Sequence, residues 1–493
     1  MYSSLRHDDP SLALATDLYE LTMAKAYWAN GMTDREAEFH MFYRRNPFGG
    51  GYVVFAGLAT LIEILQEFKF SAQDLSYLAT LKDRVGNPLF EQEFLRYLEG
   101  LEFNCDMLSM PEGTVVFPNE PLVQVRGPIV QAQLLETIVL NVLNFQSLVA
   151  TKAARVCQVA GGDPVIDFGL RRGQGLDGGL SASRACYVGG CVGTSNVLAG
   201  KLLGIPVMGT HAHSWVMAFD TELEAFRAFA SAMPDNCVFL VDTYGSLQGV
   251  RNAIEVAQEL KRDGHNPIGV RLDSGDLAYF AKAARRMLDE AGLQDMVVMA
   301  SNELDEYVMR SLKLQGAPIG AWGVGTKLVT AKDDPALSGV YKLTAIRDGN
   351  GWQYKLKLSD QKAKISIPGV LQVYRCIDRQ GQFEADAILD INERPEDVAM
   401  IVDPNDNTNV KRVGDMVSKE PLLVEVFRGG TLVYDTPDLS AIRARVSAQL
   451  ALLDSSHKRL ENPHIYPVGL SPHLNTLRDG MIRRARGVQP MPE

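Results

Sequence analysis

The sequence predicts an α/β protein with a parallel sheet in the middle of the chain and an additional α/β domain attached to it. Three observations lead there. Beyond Gly161-Gly162, a short apolar run, a polar turn and an amphipathic stretch repeat at intervals of roughly 25 to 30 residues, as βα units do. Each run is also followed by an unusually polar segment: Asp167–Arg172, Gly209–Ser214, Asp242–Tyr244, Asp273–Asp276, Ser301–Glu303 and Gly323–Thr326. In a barrel these segments converge on the C-terminal face; an open doubly wound sheet is the alternative that periodicity leaves. Finally, Ile268, Val270 and Leu272 alternate with Gly269, Arg271 and Asp273. If the apolar set faces the helices, Arg271 and Asp273 project together into the mouth.

In chain order, a helix is expected over Thr16–Trp28, then apolar patches and helical patterns to about residue 105. Thr114–Arg126 reads as two strands joined by a turn at Pro118–Pro121. A long helix runs from Ile129 to the stop at Gly161-Gly162 and bridges to the βα region. The apolar runs there are Val165-Ile166, Ile205–Met208, Val238–Val241, Ile268–Leu272, Met296–Met299 and Ile319–Trp322, with another near Cys191-Val192. Val340–Ile346 and the lysines Lys355, Lys357, Lys362 and Lys364 form a basic, strand-like segment that returns to the first domain. Residues 438–493 carry one helical stretch and a Pro-rich tail. The expected division is 1–145, an N-terminal α/β domain; 146–335, the sheet region with the site; and 336–493, a C-terminal segment partly returning to the N-terminal domain.

Composition narrows the function. With 49 Lys and Arg against 60 Asp and Glu in 493 residues, the net charge is -11, which opposes nucleic-acid binding at long range, so any anion must be held locally. The most apolar stretch, Ile129–Phe145, contains Gln131, Gln133, Glu136, Asn141 and Asn144 and is too polar to span a membrane. Met1–Asp9 has no apolar core after a basic start, so a cytoplasmic location is expected. Six scattered cysteines without a CxxC pair support neither a zinc site nor a disulfide framework.

Gly173–Gly178 satisfies GxGxxG but lacks the acidic ribose partner about 20 residues on. From Gly178 to Phe219 there is no Asp or Glu, leaving Arg184 and Lys201 unopposed beside Arg171 and Arg172. With Gly189-Gly190, Gly193-Thr194 and Ser195 before a helix, this suggests a phosphate cradle of backbone N–H groups, or glycines that only permit tight turns. No Walker A sequence occurs. His211 and His213 follow an apolar run, where an imidazole can ligate metal, accept a phosphoryl group, act as a base or simply be structural. Asp242, Asp273 and Asp276 suit ribose hydroxyls, magnesium or helix caps. Arg271, inside an apolar alternation, requires an anion or an acidic partner. Tyr19 and Phe168 read as core aromatics.

Taken together, Thr16–Met23, Phe42–Pro47, Asp167–Arg172, Asp177–Ala182, Gly193–Gly200, Gly209–Ser214 and Val270–Asp276 resemble, in order, the nicotinate phosphoribosyltransferase family. The resemblance implies an irregular α/β barrel of the type II phosphoribosyltransferase kind, fused to an α/β domain, in a homodimer with shared active sites. The implied reaction joins nicotinate to phosphoribosyl pyrophosphate, with magnesium and with ATP as co-substrate, through a phosphohistidine. By position it implies His213 as the phosphorylated residue, with Tyr19 (from the second subunit) and Phe168 sandwiching the pyridine. Arg171 and Arg271 would hold substrate anions, and Asp273 and Asp242 the ribose or magnesium-pyrophosphate. Gly323 and Gly325 would form the 5′-phosphate loop, and Arg44 a pyrophosphate or ATP contact across the interface, with Lys357 or Lys362 serving likewise. By the same resemblance, His213, Asp273 and Arg271 would form the catalytic set. The metal ligands and a role for His211 stay unassigned. The rival nicotinamide enzymes carry Asp where this chain has Ser195; a serine hydroxyl donates to a carboxylate that an Asp would repel. A non-catalytic pyridine- or nucleotide-binding barrel is the competing class.

Overall fold

The computed structural model describes residues 12–361 and 364–488, so Met1–Asp9 and Lys362 lie outside the described residues. The chain divides into two compact units, 149–335 and a second built from 1–148 with 336–493; the division falls inside the helix Glu136–Ala160.

The unit 149–335 is built on a six-stranded sheet with every pairing parallel. Its order is Gly193–Thr194, Val165–Asp167, Ala321–Val324, Val297–Ala300, Gly269–Leu272 and Val238–Leu240. Parallel strands need crossovers, supplied by helices such as Gly175–Val188, Ser246–Arg262 and Leu277–Glu290. The sheet curls, since Ile166, Val238 and Met299 share one apolar cluster although their strands stand second, sixth and fourth in the order. The hydrogen-bonded ladder does not close, however. Gly193–Thr194 and Val238–Leu240 remain its edges, and Ile205–Met208, expected as a strand, contributes a single parallel bridge, Thr194 to Val207. The strand near Cys191-Val192 begins at Gly193, and that expected at Ile319–Trp322 is shifted to Ala321–Val324.

The other unit is mostly antiparallel. One sheet runs Gly351–Tyr354, Gly339–Asp348, Glu36–Tyr43, Val123–Pro128, Asp106–Ser109, Val424–Arg428 and Thr431–Leu432. The expected 114–126 hairpin does not form: Val115–Val116 pairs with Val53–Val54, while Val123–Pro128 lies between Glu36–Tyr43 and Asp106–Ser109. The long helix breaks at Leu135 into Ile129–Leu134 and Glu136–Ala160. The lysine-rich segment leaves strand geometry after Tyr354, and the described residues of the C-terminal region hold two α-helices, Leu439–Leu452 and Pro472–Ala485, rather than one, the end of the expected Pro-rich tail (489–493) lying outside them. Among the described residues no helix is long and apolar enough to cross a membrane.

Close strand approach explains Gly269, where a Cβ would stand 2.1 Å from the Val297 carbonyl oxygen. Gly269→Ala is expected to lower stability by about 3 kcal/mol, through overpacking against backbone. Urea unfolding checks this, and an unchanged midpoint would contradict it.

Candidate active site

Because the six strands are parallel, their carboxyl ends share one edge, and the expected site residues of this unit lie in the last residues of those strands or in the segments beyond them, Arg271 and Gly323 being inside strands. After Val238–Leu240, Asp242 Oδ2 accepts from the Asp273 backbone N–H at 2.8 Å and from Ser274 Oγ at 2.6 Å, which ties two neighbouring strand tips together. Asp242 Oδ1 is buried without a hydrogen-bond partner. Asp273 accepts from Ser301 Oγ, beyond the next strand, and its Oδ2 lies 3.7 Å from His213 Nε2. His213 opens the short helix His213–Met217, and its Nδ1 is 3.1 Å from Thr243 Oγ1. The imidazole therefore sits between a hydroxyl and a carboxylate with 42 % of its side chain exposed, accessible to a ligand.

Arg271 and Asp273 both emerge half-buried while Val270 and Leu272 are fully buried, as the alternation requires. Ile268 departs from that pattern: it precedes the strand and is exposed. One Arg271 terminal nitrogen donates to the His211 carbonyl at 3.0 Å, while Nε is buried and unpartnered. Burial lowers the pKa of this guanidinium and the charge of Arg171 does likewise, against Asp273 and Asp242. Arg171 is exposed in the turn Leu170–Arg172.

Phe168 is half-buried: it packs against the apolar cluster Ile166, Val238 and Met299, and the guanidinium of Arg271 lies 5.8 Å from its ring centroid. Its ring explains a glycine: a Cβ on Gly323 would come within 2.7 Å of two Phe168 ring carbons. Gly325, just before the helix Thr326–Val329, would place a Cβ 3.2 Å from the Phe168 carbonyl oxygen. Ser195 donates its backbone N–H to the Asp167 carbonyl at 2.8 Å, and its hydroxyl has no partner among the described residues.

The glycines read as a phosphate cradle or as tight-turn residues have packing reasons. Gly189 and Gly190 end the helix Gly175–Val188, and a Cβ on Gly189 would lie 2.3 Å from the Ala150 carbonyl oxygen. At Gly193 it would lie 2.6 Å from that of Pro206. Asp276 is a helix N-cap, accepting from the Tyr279 N–H. None of the six cysteines is in a disulfide, and Cys157 alone among them is not fully buried.

Tyr19 and Arg44 belong to the other unit. Tyr19 is exposed on the helix Leu18–Ala29, with its hydroxyl hydrogen-bonded to Glu136 and its pKa raised to about 12 by burial and by neighbouring carboxylates. Glu136 is itself 3.7 Å from Lys342. Arg44 has a buried, unpartnered Nε, and with Lys357 it lowers the Lys342 pKa, though burial lowers it more. Sequence reasoning missed Lys342, which only its pairing beside Glu36–Tyr43 brings to this place.

It also left His211 unassigned. That imidazole is buried against Phe226 and Phe229, and Nε2 accepts from the Leu240 N–H at 3.3 Å, linking the chain beyond Val207 to the opposite sheet edge. The bond requires a neutral Nε2, and burial pushes the pKa down to about 4.

Three family descriptions match the chain: the nicotinate phosphoribosyltransferase N-terminal domain over residues 14–144, the nicotinate phosphoribosyltransferase family over 164–353, and the C-terminal domain over 371–478. The chain is also 46 % identical to a nicotinate phosphoribosyltransferase of Bacillus subtilis, over 94 % of each chain. The chain belongs to the nicotinate phosphoribosyltransferase family. The crystal structure of human nicotinic acid phosphoribosyltransferase superposes with a TM-score of 0.84 at 33 % identity, over 94 % of this chain and 99 % of that one. A nicotinate-nucleotide pyrophosphorylase from Pyrococcus furiosus, 21 % identical, shares the fold with a TM-score of 0.69 over 90 % of this chain and 97 % of its own. The three matched segments cover all seven strings that carried the resemblance and extend to residues 371–478, where none of those strings lies.

For His211 the folded pKa of about 4 lies below the unfolded value near 6.5, so between them the unfolded chain binds more protons. Its contribution to stability is complete above pH 6.5 and falls, by an amount on the order of 2 kcal/mol, as pH drops towards 4. Denaturant titrations at pH 7.5 and 4.5 are expected to show a smaller pH dependence in His211→Gln than in the parent; equal dependence would contradict the assignment.

Proposed function

We propose that this chain joins nicotinate to phosphoribosyl pyrophosphate, giving nicotinate mononucleotide and pyrophosphate in NAD salvage, with ATP hydrolysis coupled through phosphorylation of His213. The observation that carries the reading is the single sheet edge on which Phe168, Arg271, Asp273 and the accessible His213 stand together. A barrel that only binds pyridines has no use for an exposed imidazole held between Thr243 and Asp273.

In this reading the pyridine ring stacks on Phe168, and the free Ser195 hydroxyl donates to the nicotinate carboxylate. The pyridine nitrogen attacks ribose C1 as pyrophosphate leaves, through an oxocarbenium-like transition state. Arg271, with its unpartnered Nε, and Arg171 neutralise the departing charge, and the protein acts chiefly by position and electrostatics. Gly323 and Gly325 let backbone and the Phe168 ring come close where the 5′-phosphate would lie.

With its proton on Nδ1, towards Thr243, His213 keeps a lone pair on Nε2 to attack the γ-phosphorus of ATP, releasing ADP, and Asp273 stabilises the charged ring. Each tenfold gain in substrate affinity from this phosphorylation requires about 1.4 kcal/mol of differential interaction.

Among the described residues no group of three or more His, Cys, Asp or Glu is arranged to hold a metal ion. Magnesium bound with substrate phosphates needs only one or two carboxylates, and Asp242, with its unpartnered Oδ1, and Asp273 fit that demand. When bound, the ion offsets phosphate charge.

We read the curled sheet as an irregular barrel with its seam between Gly193–Thr194 and Val238–Leu240, crossed by His211. The active assembly is a homodimer in which a second copy supplies Tyr19 and Arg44. Exposed Val197, Leu198, Leu202 and Val207 support such an assembly.

Incubation with phosphoribosyl pyrophosphate, magnesium and nicotinate or nicotinamide, with and without ATP, is expected to yield nicotinate mononucleotide preferentially, and faster with ATP. Preference for nicotinamide would overturn the acid assignment. His213→Ala is expected to retain slow transfer but lose ATP stimulation, and retained stimulation would refute the phosphohistidine. Ser195→Asp is expected to raise the nicotinate KM about tenfold or more by setting like charges together, measured by initial rates.

A further inference from the structure

Asp167 is a fully buried carboxylate directly beneath the residues assigned to the pyridine, and the chemistry proposed above does not use it. Among the described residues, no lysine, arginine or histidine is one of its hydrogen-bond donors. Oδ1 accepts from the Gly169 backbone N–H at 2.8 Å, and Oδ2 from Ser183 Oγ at 2.8 Å and Thr194 Oγ1 at 2.7 Å. Its backbone oxygen accepts from the Ser195 N–H at 2.8 Å. Beyond this, Thr194 Oγ1 accepts from the Asn196 N–H, and Asn196 caps the helix Val197–Leu203. One residue thus fixes the backbone on the far side of Phe168, through Gly169, and that of Ser195 just beyond the neighbouring strand.

We propose that Asp167 is a positioning residue that holds the Phe168 ring and the Ser195 hydroxyl at the separation a pyridine carboxylate requires. The proposal rests on the nicotinate reading and adds to it the part that sets the width of the pyridine site. Burial raises the carboxyl's pKa and the three hydrogen bonds oppose that shift, so the group depends on these local dipoles. An asparagine has the same shape but offers one acceptor oxygen where the carboxylate offers two. Its amide accepts from Gly169 only by presenting N–H groups to Ser183 and Thr194. Those hydroxyls then turn to accept: Ser183 keeps the Gly179 carbonyl at 3.0 Å for its proton, whereas Thr194, already accepting from the Asn196 N–H, loses its short bond to the carboxylate and has only Ser183 Oγ at 3.4 Å for its own.

The test is steady-state kinetics of Asp167→Asn and, separately, Thr194→Val in the full chain, varying nicotinate and phosphoribosyl pyrophosphate independently. The nicotinate KM is expected to rise about tenfold in Asp167→Asn and about threefold in Thr194→Val, with the phosphoribosyl pyrophosphate KM within about twofold of the parent. The double variant should be no worse than Asp167→Asn, because both substitutions break one network. Equal rises in both KM values, or a loss of active fraction with both KM values unchanged, would overturn the proposal and leave Asp167 a scaffold residue. If Asp167→Asn does not fold, Thr194→Val carries the same comparison. A parent protein that makes no nicotinate mononucleotide defeats the functional reading, whereas an active parent with unchanged nicotinate KM in the variants defeats only this inference.

Discussion

Parallel pairing is the constraint on which the site depends. Strands that run the same way end on the same side, so residues from 167 to 325 along the chain are delivered to one edge without any long loop having to find its place. That edge is then fixed by polar contacts between neighbouring tips. Asp242 holds the Asp273 backbone, Asp273 accepts from Ser301, and Asp167 holds Gly169 and Thr194. Each carboxylate is tied by hydrogen bonds to the adjoining segment, so placing one tip helps to place the next.

Electrostatics follow the same local logic. A chain of net charge -11 does not attract anions from a distance, yet its middle region sets Arg171 and Arg271 near each other and has no Asp or Glu between Gly178 and Phe219. The cost of two neighbouring guanidiniums, one half-buried, is offset only in part by Asp273 and Asp242. Such an arrangement gains most when an anion arrives, which is what a phosphoribosyl pyrophosphate site requires.

The Arg271–Asp273 alternation was legible because strand period alone decides which side chains emerge together, and the polar tips were legible because apolar runs end abruptly. Pairing between distant segments was not. Val115–Val116 and Val123–Pro128 look like a hairpin locally but find partners elsewhere, a choice made by tertiary packing. Ile205–Met208 has the composition of a strand, yet Val207 and Met208 are exposed and the ladder stops after one bridge. Glycines left two readings open, and at Gly189 and Gly193 the carbonyl oxygens pressed against them give the packing reading a physical reason that the sequence alone did not show. His211 and Asp167 act through bonds to Leu240, Gly169 and Thr194, and no spacing rule announces such partners.

The most direct test is a crystal structure of this protein soaked with nicotinate mononucleotide and pyrophosphate. The account requires the pyridine against Phe168, its carboxylate at Ser195, and the phosphates along Arg271 and the Gly323–Gly325 turn. A mononucleotide ordered elsewhere on the chain, leaving that strand edge to solvent, would contradict it.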